Sequence, residues 1–120
     1  AYINKYYANA MYIKNGVYFD KMEYEKFNNG NYFELEYKDA FMGISHFCSP
    51  DEIEVELGKY DLKILENIGV DGVYSLFSDK IDEMSDSEYE ALMVYHIENC
   101  RNKNTLGMSS HGMVIVRKET

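Results

Sequence analysis

The chain has 120 residues, enough for one globular domain that buries about two-thirds of its unfolded surface. Its composition, 46% hydrophobic and 28% charged with a single proline, argues against disorder. A net charge of −9, from 21 acidic against 12 basic residues, repels phosphate backbones and sets nucleic acid aside as a partner.

No apolar run approaches the ~20 residues of a membrane span. Two cysteines, Cys48 and Cys100, make no disulfide framework, and nothing resembles a secretory signal, so a reduced cytoplasmic protein is expected. Ala1 opens directly on an apolar-aromatic run, as expected of a piece of something longer or of a chain from which a tag was removed.

Residues 1–15 place Ile3, Tyr6, Tyr7, Ala10, Met11 and Ile13 at near-helical spacing, stopped by Asn15-Gly16. The first few of them fit the end of a strand equally well. Asp20 to Phe27 reads as a short segment with Asp20 and Glu23 at capping spacing, closed by Asn28-Asn29-Gly30. The aromatic stretch 31–47 has no clean period and reads as extended or loop structure over a pocket or a neighbouring surface.

The clearest local signals lie between Ser45 and Gly72. Ser49 caps a helix whose first turn is Pro50, Asp51 and Glu52; proline suits that position, and Ser49 with Glu52 has capping-box spacing. Ile53, Leu57 and Tyr60 form one stripe for a core. Gly58 weakens the last turn, and Asp61 begins a run to Val70 that fits a half-buried strand, ended by a glycine turn. This helix–strand unit is expected to organise the rest.

Beyond it, Val73, Leu76, Phe77, Lys80, Ile81 and Met84 predict a helix of about three turns. Ser85-x-x-Glu88 is a second capping box, opening a helix with Tyr89, Leu92, Met93, His96, Ile97 and Cys100 on one face. Arg101 and Lys103 near its end suit the helix dipole. Asn104 to Ser110 reads as loop, and Met113 to Val116 as a β-rich run buried on both faces. The whole is a single domain, 1–120, of helices and two good strands. Two strands cannot make a stable sheet alone, so Leu62–Val70 and Met113–Val116 read as edge strands of a larger one.

Three sets of residues bear on chemistry. His46 with Cys48 and His96 with Cys100 sit close in sequence, with His111 nearby, and a helical His-x-x-x-Cys can hold zinc. Neither pair has a Cys-x-x-Cys-type partner, so no metal is expected; a nucleophilic cysteine would further need a base placed by a third group. Gly69 and Gly72 lie between strand and helix, yet IGVDGV is not G-x-G-x-x-G and no P-loop lysine follows, so a turn explains both. Twelve tyrosines, with Tyr2, Tyr6, Tyr7 and Tyr12 in one segment, fit a face for a flat or cationic ligand, and more simply a core or interface.

Pro50–Ile53, Ile68–Gly72, Tyr95-His96, Cys100 and Gly107–Gly112 together resemble the C-terminal half of bacterial class I S-adenosylmethionine-dependent methyltransferases. In that family a helix introduced by Pro-x-Glu-Ile leads into the sixth strand and an Ile/Val-Gly-x-Asp-Gly turn. Two helices follow, and a Gly-x-Ser-x-His-Gly segment precedes the last strand. Residues 1–6, AYINKY, resemble the end of the fifth strand and the turn after it.

The resemblance implies a Rossmann-like sheet of seven strands whose last two form its antiparallel edge. The expected fold class is therefore α/β, or α+β for the isolated fragment: helices packed on a small antiparallel sheet. It implies that the N-terminal half, with the glycine-rich turn and acidic residue that hold S-adenosylmethionine, is missing. The parent would use that cofactor, and this chain alone is expected to hold none. The family's reaction is displacement of the sulfonium methyl by a small-molecule acceptor, whose pocket the C-terminal half shapes. Tyr2, Asn4, Tyr7, His46 and His111 would stand near the acceptor by position; a helix cap is the plainer role for Asn4, and a chain turn for His111. The alternative function is a stand-alone acidic interaction module. In either case exposed strands and aromatics predict a homodimer or higher assembly.

Overall fold

The structure, a computed structural model, describes residues 1–16, 25, 28, 29 and 47–119. A two-residue strand β1 (Tyr2–Ile3) runs directly into helix α1 (Lys5–Lys14). Asn4 caps that helix by accepting a hydrogen bond from the Tyr6 N–H at 3.1 Å. Gly16, at φ +74°, takes the left-handed conformation that ends it. Both local readings of this segment, strand end and helix, are correct in sequence. The expectations for Asp20–Phe27 (Glu25 aside), for 31–46 and for His46 lie outside the described residues.

Helix α2 (Pro50–Leu57) starts as its sequence demands, with Ser49 Oγ accepting from the Glu52 N–H at 3.2 Å. Its core stripe is shorter than predicted. Gly58 already caps the helix, so Tyr60 falls in the following turn and is 63% exposed, while Ile53 and Leu57 are half-buried.

Strands β2 (Leu62–Gly69) and β3 (His111–Lys118) complete a three-stranded sheet in the order β1-β3-β2. Both neighbours are antiparallel to β3, so β1 and β2 run parallel to each other. Ile64 faces Val116 and Glu66 faces Ile115, which leaves Leu65 as a bulge. The bulge reverses the strand's parity: Leu62 and Ile64 are the more covered positions before it, Asn67 and Gly69 the buried ones after it. Asn67 is thereby turned inward.

The prediction for Met113–Val116 needs correction. This run is the middle of the sheet rather than an edge, and it is not buried on both faces: Met113 is 42% and Ile115 38% exposed. The helices explain this, because α2 and a short helix α5 (Lys103–Leu106) pack on β2 instead. Helix α5 itself lies in the stretch read as loop; Asn102 caps it through the Asn104 N–H at 2.9 Å.

The helix expected from Val73 to Met84 is broken into a 3-10 turn (Tyr74–Phe77) and helix α3 (Ser78–Asp82). Phe77, at φ −123° and ψ 29°, leaves the helical region between them. Neither piece has a capping side chain or a buried residue, so nothing holds them as one helix. Helix α4 (Asp86–Asn99) keeps its capping box in full: Ser85 Oγ accepts from the Glu88 N–H at 3.3 Å, and Glu88 Oε2 from the Ser85 N–H at 2.8 Å. Arg101 at its end donates to both carboxylate oxygens of Glu66 on β2, at 2.9 and 3.3 Å.

The core lies under α1. Tyr2, Tyr7, Ala8, Tyr12, Phe47 and Leu106 are buried there. Lys5 is buried with them, donates to the Asn28 carbonyl at 2.8 Å and pairs with the Glu52 carboxylate of α2. Burial pushes the Glu52 carboxyl up, but the Lys5 ammonium and the hydrogen bonds from Ser49 together outweigh it and the net shift is down. The Tyr2 ring lies across Gly112, and its hydroxyl donates to Asn67 Oδ1 at 2.8 Å. Burial holds that phenol protonated, with its pKa pushed up to about 12.

A Cβ at Gly112 would fall inside the Tyr2 ring. The substitution Gly112→Ala is therefore expected to displace Tyr2, break its bond to Asn67 and cost about 2–4 kcal/mol in urea unfolding. An unchanged midpoint would refute the packing described.

Candidate functional site

Because β1 and β2 are parallel, their carboxyl ends meet at one rim of the sheet, beside the amino end of β3. Open α/β sheets bind ligands outside the carboxyl ends of their strands, since loops and helix starts converge there. The chain places Tyr7 of α1, Asp71 and Ser75 after β2, and Ser110 and His111 before and at the start of β3 on this rim.

The rim is held by one buried side chain. Ser109, 1% exposed, accepts from the backbone N–H groups of Asp71 and Gly72 at 3.2 and 3.0 Å. Its hydroxyl donates to the His111 carbonyl at 2.7 Å. Two further backbone bonds brace the same crossing, Val70 N–H to the His111 carbonyl at 3.0 Å and Ser110 N–H to the Gly72 carbonyl at 3.1 Å. Gly72 sits at φ +65°, and a Cβ there would strike the Tyr74 ring at 2.6 Å, so this turn requires glycine.

On this frame the His111 Nδ1 meets the Asp71 carboxylate. The Tyr7 hydroxyl shares a hydrogen bond with Ser75 Oγ. Burial raises the Tyr7 phenol pKa, and the Asp71 charge raises it further. His96 is turned elsewhere: its Nε2 donates to the Val70 carbonyl at 2.8 Å, and the Tyr74 ring meets it edge-on, centroids 5.5 Å apart. The cavity of about 130 Å³ lined by Gly72, Tyr74, His96, Cys100 and Ser109 is below the usual size of a ligand pocket.

Of the residues singled out in the sequence, Tyr7 and His111 stand on the rim. Tyr2 spans the sheet to Asn67, and Asn4, 1% exposed, caps α1 and donates to the Leu106 and Gly107 carbonyls at 3.2 and 2.7 Å. His46 lies outside the described residues. Cys48 is buried and its thiol pKa is raised, by burial first and then by the Glu52 charge. Among the described residues no three His, Cys, Asp or Glu side chains gather as a metal ion would require, and no helix is long and apolar enough to cross a membrane. Asp71 and Ser109 were not foreseen as site residues, although both lie inside the Ile68–Gly72 and Gly107–Gly112 segments that carry the resemblance.

Removing the Ser109 hydroxyl strands two backbone donors. Ser109→Ala should cost about 1–3 kcal/mol and speed amide exchange at Asp71 and Gly72 selectively. Unchanged protection at both amides would contradict this hub.

The chain matches no protein-family model, no curated protein and no solved structure, so its function is read from its own chemistry.

Proposed function

We propose that the chain is the acceptor-side part of an S-adenosylmethionine-dependent methyltransferase that acts on a small molecule. The observation that carries this reading is the polar rim at the carboxyl ends of two parallel strands, with the last strand inserted antiparallel between them. The edges of the sheet agree with it. The outer edge of β2 is blunted by the Leu65 bulge, by Lys63 and Glu66, and by the Cys100 carbonyl on the Gly69 N–H at 2.7 Å, as a true sheet edge should be. On the outer side of β1, Cys48 pairs in parallel with Asn4, its N–H on the Ile3 carbonyl at 3.1 Å and its carbonyl on the Lys5 N–H at 3.2 Å, so a parallel segment already runs beside β1.

Among the described residues none forms the G-x-G-x-x-G strand–turn–helix that would cradle S-adenosylmethionine, and the glycine turn after β2, IGVDGV, departs from that pattern. The chain's own part is to position the acceptor and exclude water, which alone can supply a large share of a transfer barrier. Titration calorimetry is expected to give a Kd weaker than about 1 mM for S-adenosylmethionine and this chain, and tight binding for the complete translation product that carries it. Tight binding by the chain alone would overturn the division of labour.

A second reading, a self-associating acidic interaction module, is favoured by one observation: the fourteen residues of α4 bury no side chain, and Val94 and Ile97 on it are exposed. Light scattering is expected to return a dimer or larger species. A monomer at high concentration, together with cofactor binding by the longer product, would remove this reading.

A further inference from the structure

We propose that His111 and Asp71 form a proton-accepting dyad, which takes the proton from a hydroxyl group of the bound small molecule. The identity of that molecule as a methyl acceptor rests on the reading above; the geometry of the dyad does not.

The Nδ1 atom of His111 faces Asp71 Oδ2. An ionised carboxylate only accepts hydrogen bonds, so the neutral imidazole must carry its proton on Nδ1 and its lone pair on Nε2. A base whose tautomer is fixed by a third group is the arrangement that proton abstraction needs. Both side chains are partly open, at 54% and 38% exposure, so a small molecule can reach Nε2. An ion pair this exposed contributes little to stability, which makes it a poor structural device.

Its backbone, in contrast, is tightly built. Ser109 joins the amide of Asp71 to the carbonyl of His111, and the Val70 and Gly72 bonds fix the same crossing. The dyad is therefore held before any ligand arrives, so little ordering remains for the reactive complex. It stands at the rim where β1 and β2 end, beside the Tyr7–Ser75 hydroxyl pair, whose two groups can donate to or accept from a bound hydroxyl compound.

In the step itself the hydroxyl O–H bond breaks and its proton moves to His111 Nε2. The electron pair stays on oxygen as the nucleophile, and the imidazolium is balanced by the Asp71 carboxylate, which takes no proton. This chemistry selects the substrate class. A neutral amine already has its nucleophilic lone pair and can lose a proton afterwards, whereas a phenol or alcohol gains most from a base during attack.

The first test is the long-range proton–nitrogen NMR spectrum of the chain. Neutral His111 is expected as the Nδ1–H tautomer, with that preference reduced in Asp71→Asn; an Nε2–H tautomer in the unaltered protein overturns the dyad whatever the activity. The second is transfer from labelled S-adenosylmethionine to a panel of phenols and alcohols by the complete translation product. His111→Gln should lower kcat about 10²–10⁴-fold with little change in acceptor KM, in a variant whose circular dichroism and melting match the parent. Retained kcat overturns the base role and leaves the methyltransferase reading standing. No transfer to any acceptor, with the Nδ1–H tautomer present, overturns that reading and the base role together.

Discussion

One buried contact chain ties the ends of this protein into a fold. Tyr2 on β1 crosses Gly112 on β3 and donates to Asn67 on β2, and Asn67 in turn donates to the Pro50 carbonyl at 3.4 Å and Glu54 Oε1 at 3.3 Å on α2. All three strands and a helix meet on that line. Strand β1 needs it, because two residues of ladder cannot hold a strand in place. The same closure brings Asn4, the cap of the first helix, to the Leu106 carbonyl of α5, 102 positions along the chain. Contacts of such separation favour slow, late assembly of the N-terminal segment. The requirement for glycine at position 112 follows from this geometry rather than from any turn.

Local chemistry was legible and long-range chemistry was not. Ser49 before Pro50, Ser85 with Glu88, and Gly16 after Asn15 all act within four residues, so their partners are visible in the sequence beside them. The antiparallel pairing of the last two strands was legible through the resemblance. Hidden were the buried polar residues: Asn67 and Ser109 find partners 65 and 37 positions away, and no periodicity marks an asparagine or serine as interior. The Leu65 bulge was hidden for the same reason, since only the register against β3 reveals it. The uncapped Val73–Met84 stretch had the apolar spacing of a helix without the capping or burial that holds one together.

At the rim the division of labour is physical. Stability there resides in Ser109, which is buried and satisfies two amides, and the exposed His111–Asp71 pair adds little to it. A site arranged this way can have its reactive side chains open to solvent and still precise in placement, because their backbones are fixed from beneath. That arrangement also explains why sequence reading reached His111 but passed over Asp71. The histidine is conspicuous as a residue type, whereas the aspartate is ordinary until the turn at Gly72 brings it across to the imidazole.

The distribution of apolar surface constrains what can cover the sheet. Among the described residues the buried core is small and rich in tyrosine, while Leu65, Val94, Ile97, Met113, Ile115 and Val116 are exposed. At about 25 cal/mol per Å² of apolar area, such side chains stabilise a fold only when something removes them from water. The edges are poor places for that. The bulge and charges on β2, and Cys48 against β1, leave no long open ladder for another strand to extend edge to edge. Whatever covers this chain must therefore lie against faces, those of α4 and of the β3 region. A second copy would have to meet it face to face about a two-fold axis, because that is how one patch covers its own twin. The rest of a larger sheet would cover the same faces with its crossover helices, and it would have to join beyond Cys48, whose N–H and carbonyl already pair with the Ile3 carbonyl and the Lys5 N–H on the outer side of β1.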